Sequence, residues 1–360
     1  MKRRLSTIIA ICVVALVAAS CNSDKFTIEA EIAHLADQKV FLNRPGLHGL
    51  EPVDTAEAVD GKFIFKGKLE TNDYRIITFE DVSGEIDLYM DNSNIKVEGD
   101  YVALDSVKVE GSPAMDYYMK FADIAKVHND YVKSKLNELQ EAQLANDSVK
   151  VDEIFEEYLV KQKEYIKNNF DLAKTRPGDM ISVFAVVNNS SYSTPDEIQA
   201  FYDVIPEDVK VDPRIGEALA QMEKICKLSK GNPVPEFTLY SYDVEKTVTS
   251  DSLKGKTSLV YITTPDVKDN DVIYPQLRKA AEKGVNIILV MMLTREDHYF
   301  LYDEYVKDNG LEGFTVLTGS EDFVETMGAV TPRVFVVDKD AKFNGVAIET
   351  DDVLELIGKL

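Results

Sequence analysis

The chain has 360 residues, 45% of them apolar and 29% charged, with 63 acidic against 40 basic side chains and a net charge of −23. That composition excludes fibrous, collagen-like and wholly disordered proteins, and the length asks for two or three compact units rather than one core. So acidic a surface repels phosphate backbones and anionic headgroups, which argues against nucleic acid as a partner.

Lys2, Arg3 and Arg4 precede an apolar stretch from Ile8 to Ala19, the layout of a secretory leader; the stretch is short for a bilayer span. It ends in Val17-Ala18-Ala19-Ser20-Cys21. Small residues directly before a cysteine resemble the lipobox of bacterial lipoproteins, although Ala18 stands where Leu is commoner. The resemblance implies cleavage of residues 1–20, acylation of Cys21 and a lipid anchor in the inner or outer membrane of a cell envelope. An uncleaved anchor helix, or an ordinary leader with a leftover cysteine, is the alternative. Processing would remove Cys12 and three positive charges, leaving Cys226 as the one free thiol, so no internal disulfide is expected.

From residue 25 to 112 apolar and polar residues alternate in short runs. Phe26, Ile28, Ala30 and Ile32 form one; others are Ile76 to Phe79, Ile86 to Met90, Ile95 to Val97 and Val107 to Val109, with Asp60-Gly61 as a hairpin turn before Phe63 and Phe65. This predicts an antiparallel β-sandwich or barrel-like module. The segments VDTAEAVDGKFIFKGKL and IDLYMDNSNIKVEGD resemble a domain of unknown function that commonly precedes a thioredoxin-like domain in envelope lipoproteins of Gram-negative bacteria.

From 113 to 230 the period becomes helical and predicts a helical connector. Tyr117, Phe121, Ile124, Val127 and Tyr131 recur at three- and four-residue steps, and Val151, Phe155, Leu159, Ile166 and Phe170 continue a similar face. Pro177, Pro195 and Pro213 cut the region into several helices, with Ser193 or Thr194 as a cap.

From 231 to 360 strands and helices alternate. Ser258 to Thr263, Val285 to Met292 and Arg333 to Val337 read as buried strands, Tyr274 to Lys283 and Val353 to Leu360 as helices, giving a modest α/β sheet. The whole chain is thus expected to be a multidomain α+β protein. GNPVPEFTL, the later Leu-Lys-Gly-Lys at 253–256 and the following strand resemble the entry to thioredoxin-fold domains of the TlpA/ResA type. Ala329-Val330-Thr331-Pro332-Arg333 is similar to that family's cis-proline loop. The resemblance implies that Thr331 and Pro332 present backbone to an extended peptide or protein partner.

Redox-active relatives carry Trp-Cys-x-x-Cys five residues before a helix proline. Counting back from Pro275 puts Asn270 at the second sulfur position, Val267 at the first and Asp266 at the Trp. Neither residue supplies a thiolate or a resolving thiol. Asp266, Asp269 and Asp271 are expected to cap the helix start instead.

Cys226 lies between Lys224 and Lys227, which offer a route to a lowered thiol pKa, or it is simply a packed apolar side chain. His34, His48, His128 and His298 lack metal-ligand spacing, no cofactor fingerprint occurs, and Asp91-Asn92-Ser93-Asn94 reads as a turn. Asp54-Thr55-Ala56, Asp105-Ser106-Val107, Asp147-Ser148-Val149 and Asp251-Ser252-Leu253 resemble envelope O-glycosylation triplets, and turns or strand edges explain them equally. Two functions follow. One is a membrane-tethered binding or structural lipoprotein with a degenerate redox site; the other is a thiol-disulfide oxidoreductase or peroxidase acting through Cys226 or a partner thiol.

Overall fold

A computed structural model describes residues 24–46, 49–81, 83–293, 295–327 and 333–360. Cys12, Cys21, His48 and the Thr331–Pro332 loop lie outside them. The chain divides into two compact units, residues 1–119 and 120–360.

The first unit holds β1 (Phe26–Ala33), β2 (Gln38–Gly46), β3 (Gly49–Ala58), β4 (Lys62–Gly67), β5 (Asp73–Phe79), β6 (Glu85–Met90), β7 (Asn94–Asp100) and β8 (Lys108–Glu110). They form two four-stranded sheets, ordered β4-β1-β7-β8 and β3-β2-β5-β6. The alternation read in the sequence is the alternation of burial. Phe26, Ile28, Ala30 and Ile32 of β1 point inward and share one core with Phe63, Phe65, Ile95 and Val97 of their own sheet. Val40, Leu42, Ile77, Phe79 and Leu88 enter it from the other sheet, which makes a sandwich.

One pairing departs from the antiparallel expectation: β1 and β7 run parallel, Thr27 beside Asn94 through Ala33 beside Asp100. Parallel neighbours need a long connection, and here the whole second sheet separates them in sequence. The turn at Asp60-Gly61 is also more than a hairpin, because it passes the chain from one sheet to the other. Both residues have positive φ, 50° and 75°, and Val59 and Lys62 exchange two backbone hydrogen bonds of 3.0 Å.

A Cβ on Gly61 would lie 2.3 Å from the Ile32 carbonyl oxygen, while the Gly61 carbonyl accepts the Ile32 N–H at 2.9 Å. Gly61→Ala is therefore expected to cost roughly 1–3 kcal/mol, from left-handed strain and backbone collision. Urea denaturation measures it, and a loss below about 0.5 kcal/mol would mean that the turn relaxes freely.

The unit boundary falls within α1 (Pro113–Leu144). The Ser112 hydroxyl accepts the Met115 N–H and an Asp91 carboxylate oxygen accepts the Ala114 N–H, at 3.1 and 3.0 Å. Asn92 bridges the Leu69 backbone in both directions, so the 91–94 turn serves as a cap and a loop clamp.

The second unit continues with α2 (Ser148–Lys174), α3 (Met180–Asn188), α4 (Pro195–Tyr202) and α5 (Gly216–Cys226). Asp147 and Asp179 cap α2 and α3, and Thr194 with Glu197 forms a reciprocal capping box on α4. The O-glycosylation-like triplets fall on β3, on 3-10 turns at 101–106 and 250–253, and on the α2 cap.

The expected apolar stripe is only partly inward. Tyr117 and Phe121 are buried, but Val127 is exposed, as are Phe155 and Leu159 of α2. The α2 residues that turn inward are Ile154, Phe170 and Ala173. The expected face therefore holds at the C-terminal end of α2, where Phe170 is buried and Ile166 half-buried, and fails at Phe155 and Leu159; Tyr165 of α2 stacks on His128 of α1 at 4.7 Å.

The α/β part comprises β9 (Thr238–Tyr240), β10 (Thr247–Thr249), β11 (Ser258–Thr263), α6 (Asn270–Glu282), β12 (Asn286–Met291), α7 (Glu296–Phe300), α8 (Tyr302–Asp308), β13 (Thr315–Thr318), α9 (Glu321–Met327), β14 (Arg333–Val337), β15 (Phe343–Ala347) and α10 (Thr350–Gly358). They make a seven-stranded sheet ordered β10-β9-β13-β12-β11-β14-β15. The central strand β11 lies parallel to β12 and antiparallel to β14.

Every residue of β11 and β14 is buried, which explains their unbroken apolar runs. Alternate residues feed opposite layers. Leu259, Tyr261 and Val334 meet Ile273 and Leu277 of α6 and Val353 and Ile357 of α10. Val260, Ile262 and Phe335 meet Phe237, Phe323 and Met327. Each fully buried side chain contributes about 1.5–3 kcal/mol, so the end of β11 is held rigidly.

Candidate functional site

The loop at 264–269 joins β11 to α6; Val267 in it and Asn270 at the helix start are the positions that the family resemblance matches to a redox pair. Val267 is half-buried and Asn270 is 2% exposed. The Asn270 side chain has each of its hydrogen-bonding sites filled. Its Oδ1 accepts from the Tyr261 hydroxyl at 2.7 Å and lies 2.9 Å from the Thr263 hydroxyl. Its Nδ2 donates to the Thr264 carbonyl at 2.9 Å and to the Tyr305 hydroxyl at 3.1 Å, and Tyr305 in turn contacts the Tyr274 hydroxyl at 3.0 Å.

An amide offers two acceptor and two donor sites, and this pocket uses all four. Such a closed network holds the loop, strand and two helices in one arrangement. It has no atom that can accept electrons or release a thiolate.

Burial pushes the Tyr261 and Tyr274 phenols far above their ordinary range, and Tyr305 rises for the same reason. They keep their protons at any physiological pH. Unfolding exposes phenols that ionise near pH 10, so the unfolded chain sheds protons first and stability falls as pH rises above about 10. Urea melts between about pH 9 and 11 should show that decline, and Tyr261→Phe with Tyr274→Phe should flatten it; an unchanged slope would remove these two phenols as its cause.

Of the three aspartates expected at the helix start, Asp269 makes no capping bond and Asp266 pairs elsewhere, while Asp271 lies in the first turn. Asp269 occupies the cap position of α6 without a side-chain capping bond; its carboxylate accepts from the Thr350 hydroxyl at the start of α10 instead. The N–H groups of Asn270, Asp271 and Val272 are taken by the carbonyls of Val267, Lys268 and Asp269, at 3.1, 3.4 and 3.1 Å. The preceding tight turns thus leave the carboxylate nothing to cap.

Asp266, at the Trp position, is 3.0 Å from Nε2 of His298 and 3.6 Å from the Arg295 guanidinium. The His298 side chain is 5% exposed. Lys268 pairs with Asp152 of α2, and Lys163 of α2 pairs with Glu349. Asp271 remains in the first turn of α6, where a negative charge favours the positive helix end.

Cys226 ends α5 and is 7% exposed. Burial, then the Asp203 and Glu223 carboxylates, push its thiol up to about 11. The two lysines do not lower it; Lys224 is engaged by Glu325 at 3.2 Å. The thiol therefore stays protonated at neutral pH.

Sequence reasoning did not single out Arg333. It opens β14 directly after Pro332, is 3% exposed, and burial alone lowers its pKa to about 10. Its sequence signal was an arginine at the head of a fully apolar run. The Asp266–His298 contact left no such signal, because 32 residues separate its partners. Among the described residues no group of three or more His, Cys, Asp and Glu side chains could hold a metal ion, and no helix is long and apolar enough to cross a membrane.

Residues 26–118 match the family described as Domain of unknown function (DUF4369). No curated protein matches the chain. Solved structures similar to part of it include the thioredoxin domain of a thiol-disulfide oxidoreductase from Bacteroides vulgatus, 20% identical, covering 37% of this chain and 97% of that one with a TM-score of 0.31. A thiol:disulfide interchange protein from a Bacteroides species is 21% identical, covering 37% and 91%, TM-score 0.31. A thioredoxin family thiol:disulfide interchange protein from Chlorobium tepidum is 20% identical, covering 36% and 97%, TM-score 0.30. The chain therefore carries a DUF4369 domain, and structures similar to part of it are thioredoxin-like thiol-disulfide oxidoreductases.

Proposed function

We propose that this chain is an envelope lipoprotein tethered through Cys21, whose C-terminal α/β part has the thioredoxin architecture without redox chemistry. Its role is to bind an extended peptide or protein at the Thr331–Pro332 loop, or to serve as a structural component. The observation that carries the redox-inactive reading is the closed network around Asn270, at the position where the family resemblance expects a resolving sulfur. Val267 at the other position has no ionisable group. The leader ending at Cys21 supports the tether, and the acidic balance favours a body held off the anionic membrane surface.

The test is insulin reduction with dithiothreitol as the electron source, on the protein lacking the leader. Turnover no faster than the reductant alone is expected, for the wild type and for Cys226→Ser alike. Dithiol turnover that depends on residues 231–360 would refute the reading, and its disappearance in Cys226→Ser would assign it to that thiol. A thiol reagent should modify Cys226 slowly in the folded protein and fully in denaturant, because the side chain is buried. For the tether, Cys21→Ala should move the protein from the membrane to the soluble fraction.

A further inference from the structure

Beside the β9–β10 hairpin the second unit exposes an aromatic surface that the proposed role above does not use. Tyr242, in the hairpin turn, stacks on Tyr302 of α8 with ring centres 4.7 Å apart and lies 6.4 Å from Tyr299 of α7. Tyr302 is buried and fixes the base of this group. Tyr242 and Tyr299 are 42% and 49% exposed, and Phe300 is 85% exposed.

Val244 lies in the same hairpin turn as Tyr242. It is 67% exposed and held at φ 62°, a left-handed conformation that a β-branched residue adopts only under strain. Folding alone does not account for large apolar groups placed in water on a strained turn.

The charges in the segments that bear these rings are mostly negative. Residues 240–246 and 299–304 together carry Asp243, Glu245, Asp303 and Glu304 against a single Lys246. Asp243 is fixed by the Ser241 hydroxyl and the Glu245 N–H, and those bonds hold it below the usual carboxylate range. Rings that present a negative face, flanked by ionised carboxylates, select a cation, and the planar guanidinium satisfies both features at once.

We propose that this surface docks a basic, arginine-bearing segment of a partner protein. The guanidinium groups stack on the exposed rings of Tyr299, Phe300 and Tyr242 while Asp243 and Asp303 balance their charge. Bulk attraction by a chain of net charge −23 would steer such a segment toward the molecule; the rings supply the address.

The test is calorimetric titration of the full chain with a hexa-arginine peptide. Tyr299→Ala with Phe300→Ala leaves the net charge unchanged and should weaken binding about tenfold, and hexa-lysine should bind less tightly than hexa-arginine. Phe300→Ala alone, at a residue almost wholly in water, keeps the test valid if the double variant misfolds. Equal affinity of wild type and variant for hexa-arginine would overturn the proposal, since attraction would then come from the overall field. Binding of an uncharged oligosaccharide, or self-association abolished by the variant, with no such loss for arginine, would overturn it equally. None of these outcomes bears on insulin reduction, so failure here leaves the redox-inactive reading standing.

Discussion

Asn270→Ala is expected to destabilise the second unit by roughly 2–4 kcal/mol, a fall in melting temperature on the order of 10 °C. The substitution removes the acceptor of the Tyr261 hydroxyl, one acceptor of the Thr263 hydroxyl and one contact of Tyr305, while the Thr264 carbonyl keeps the Val267 N–H at 3.3 Å. Groups so stranded in a dry site each cost about 1–3 kcal/mol, and only part of that is recovered by relaxation. Asn270→Leu keeps the volume and strands the same groups, so it should be no better. Tyr261→Phe, which removes one hydroxyl, should cost about 1 kcal/mol. A urea melt in which Asn270→Ala moves stability by less than about 0.5 kcal/mol would show that the network holds nothing.

The second large effect is a gain. Val267→Cys combined with Asn270→Cys should create a pair that oxidises to a disulfide in a glutathione buffer, and its dithiol form, regenerated by dithiothreitol, should reduce insulin and become the disulfide in each turnover. The two positions are already drawn together, since the Asn270 N–H donates to the Val267 carbonyl at 3.1 Å. The engineered thiol at 267 would be slow. Asp266, Asp269 and Asp271 surround the loop, and nearby negative charge raises a thiol's pKa. Adding Asp269→Asn should therefore raise the initial rate. Mass spectrometry under non-reducing conditions decides the point: two free thiols persisting in a folded, oxidised sample would place the sulfur positions elsewhere and undo the correspondence of Val267 and Asn270.

Much of the fold was legible because its signals are local. The strands of the first unit alternate because one face of each sheet meets water, and β11 and β14 are unbroken apolar runs because both faces are covered. The α4 cap could be read from Thr194 and Glu197 alone.

What escaped is what distant residues decide. Which part of the α2 stripe is buried depends on what packs against it: Phe170 is covered, while Phe155 and Leu159 are exposed. Asp269 has no free N–H to cap, and its carboxylate accepts instead from Thr350, 81 residues away. That 267 and 270 are valine and asparagine is plain in the sequence, whereas the hydrogen-bonding role of Asn270 is not. Its partners Tyr261 and Tyr305 lie 9 and 35 residues away, and only the closure of the sheet brings them to one point.

The four-bonded amide also fixes the order in which a cysteine pair is best built into this loop. Cysteine placed first at 270 removes the hub on which Tyr261, Thr263 and Tyr305 converge. Cysteine placed first at the half-buried position 267 leaves that hub whole, so the single variant Val267→Cys is the more stable intermediate on the way to the double one.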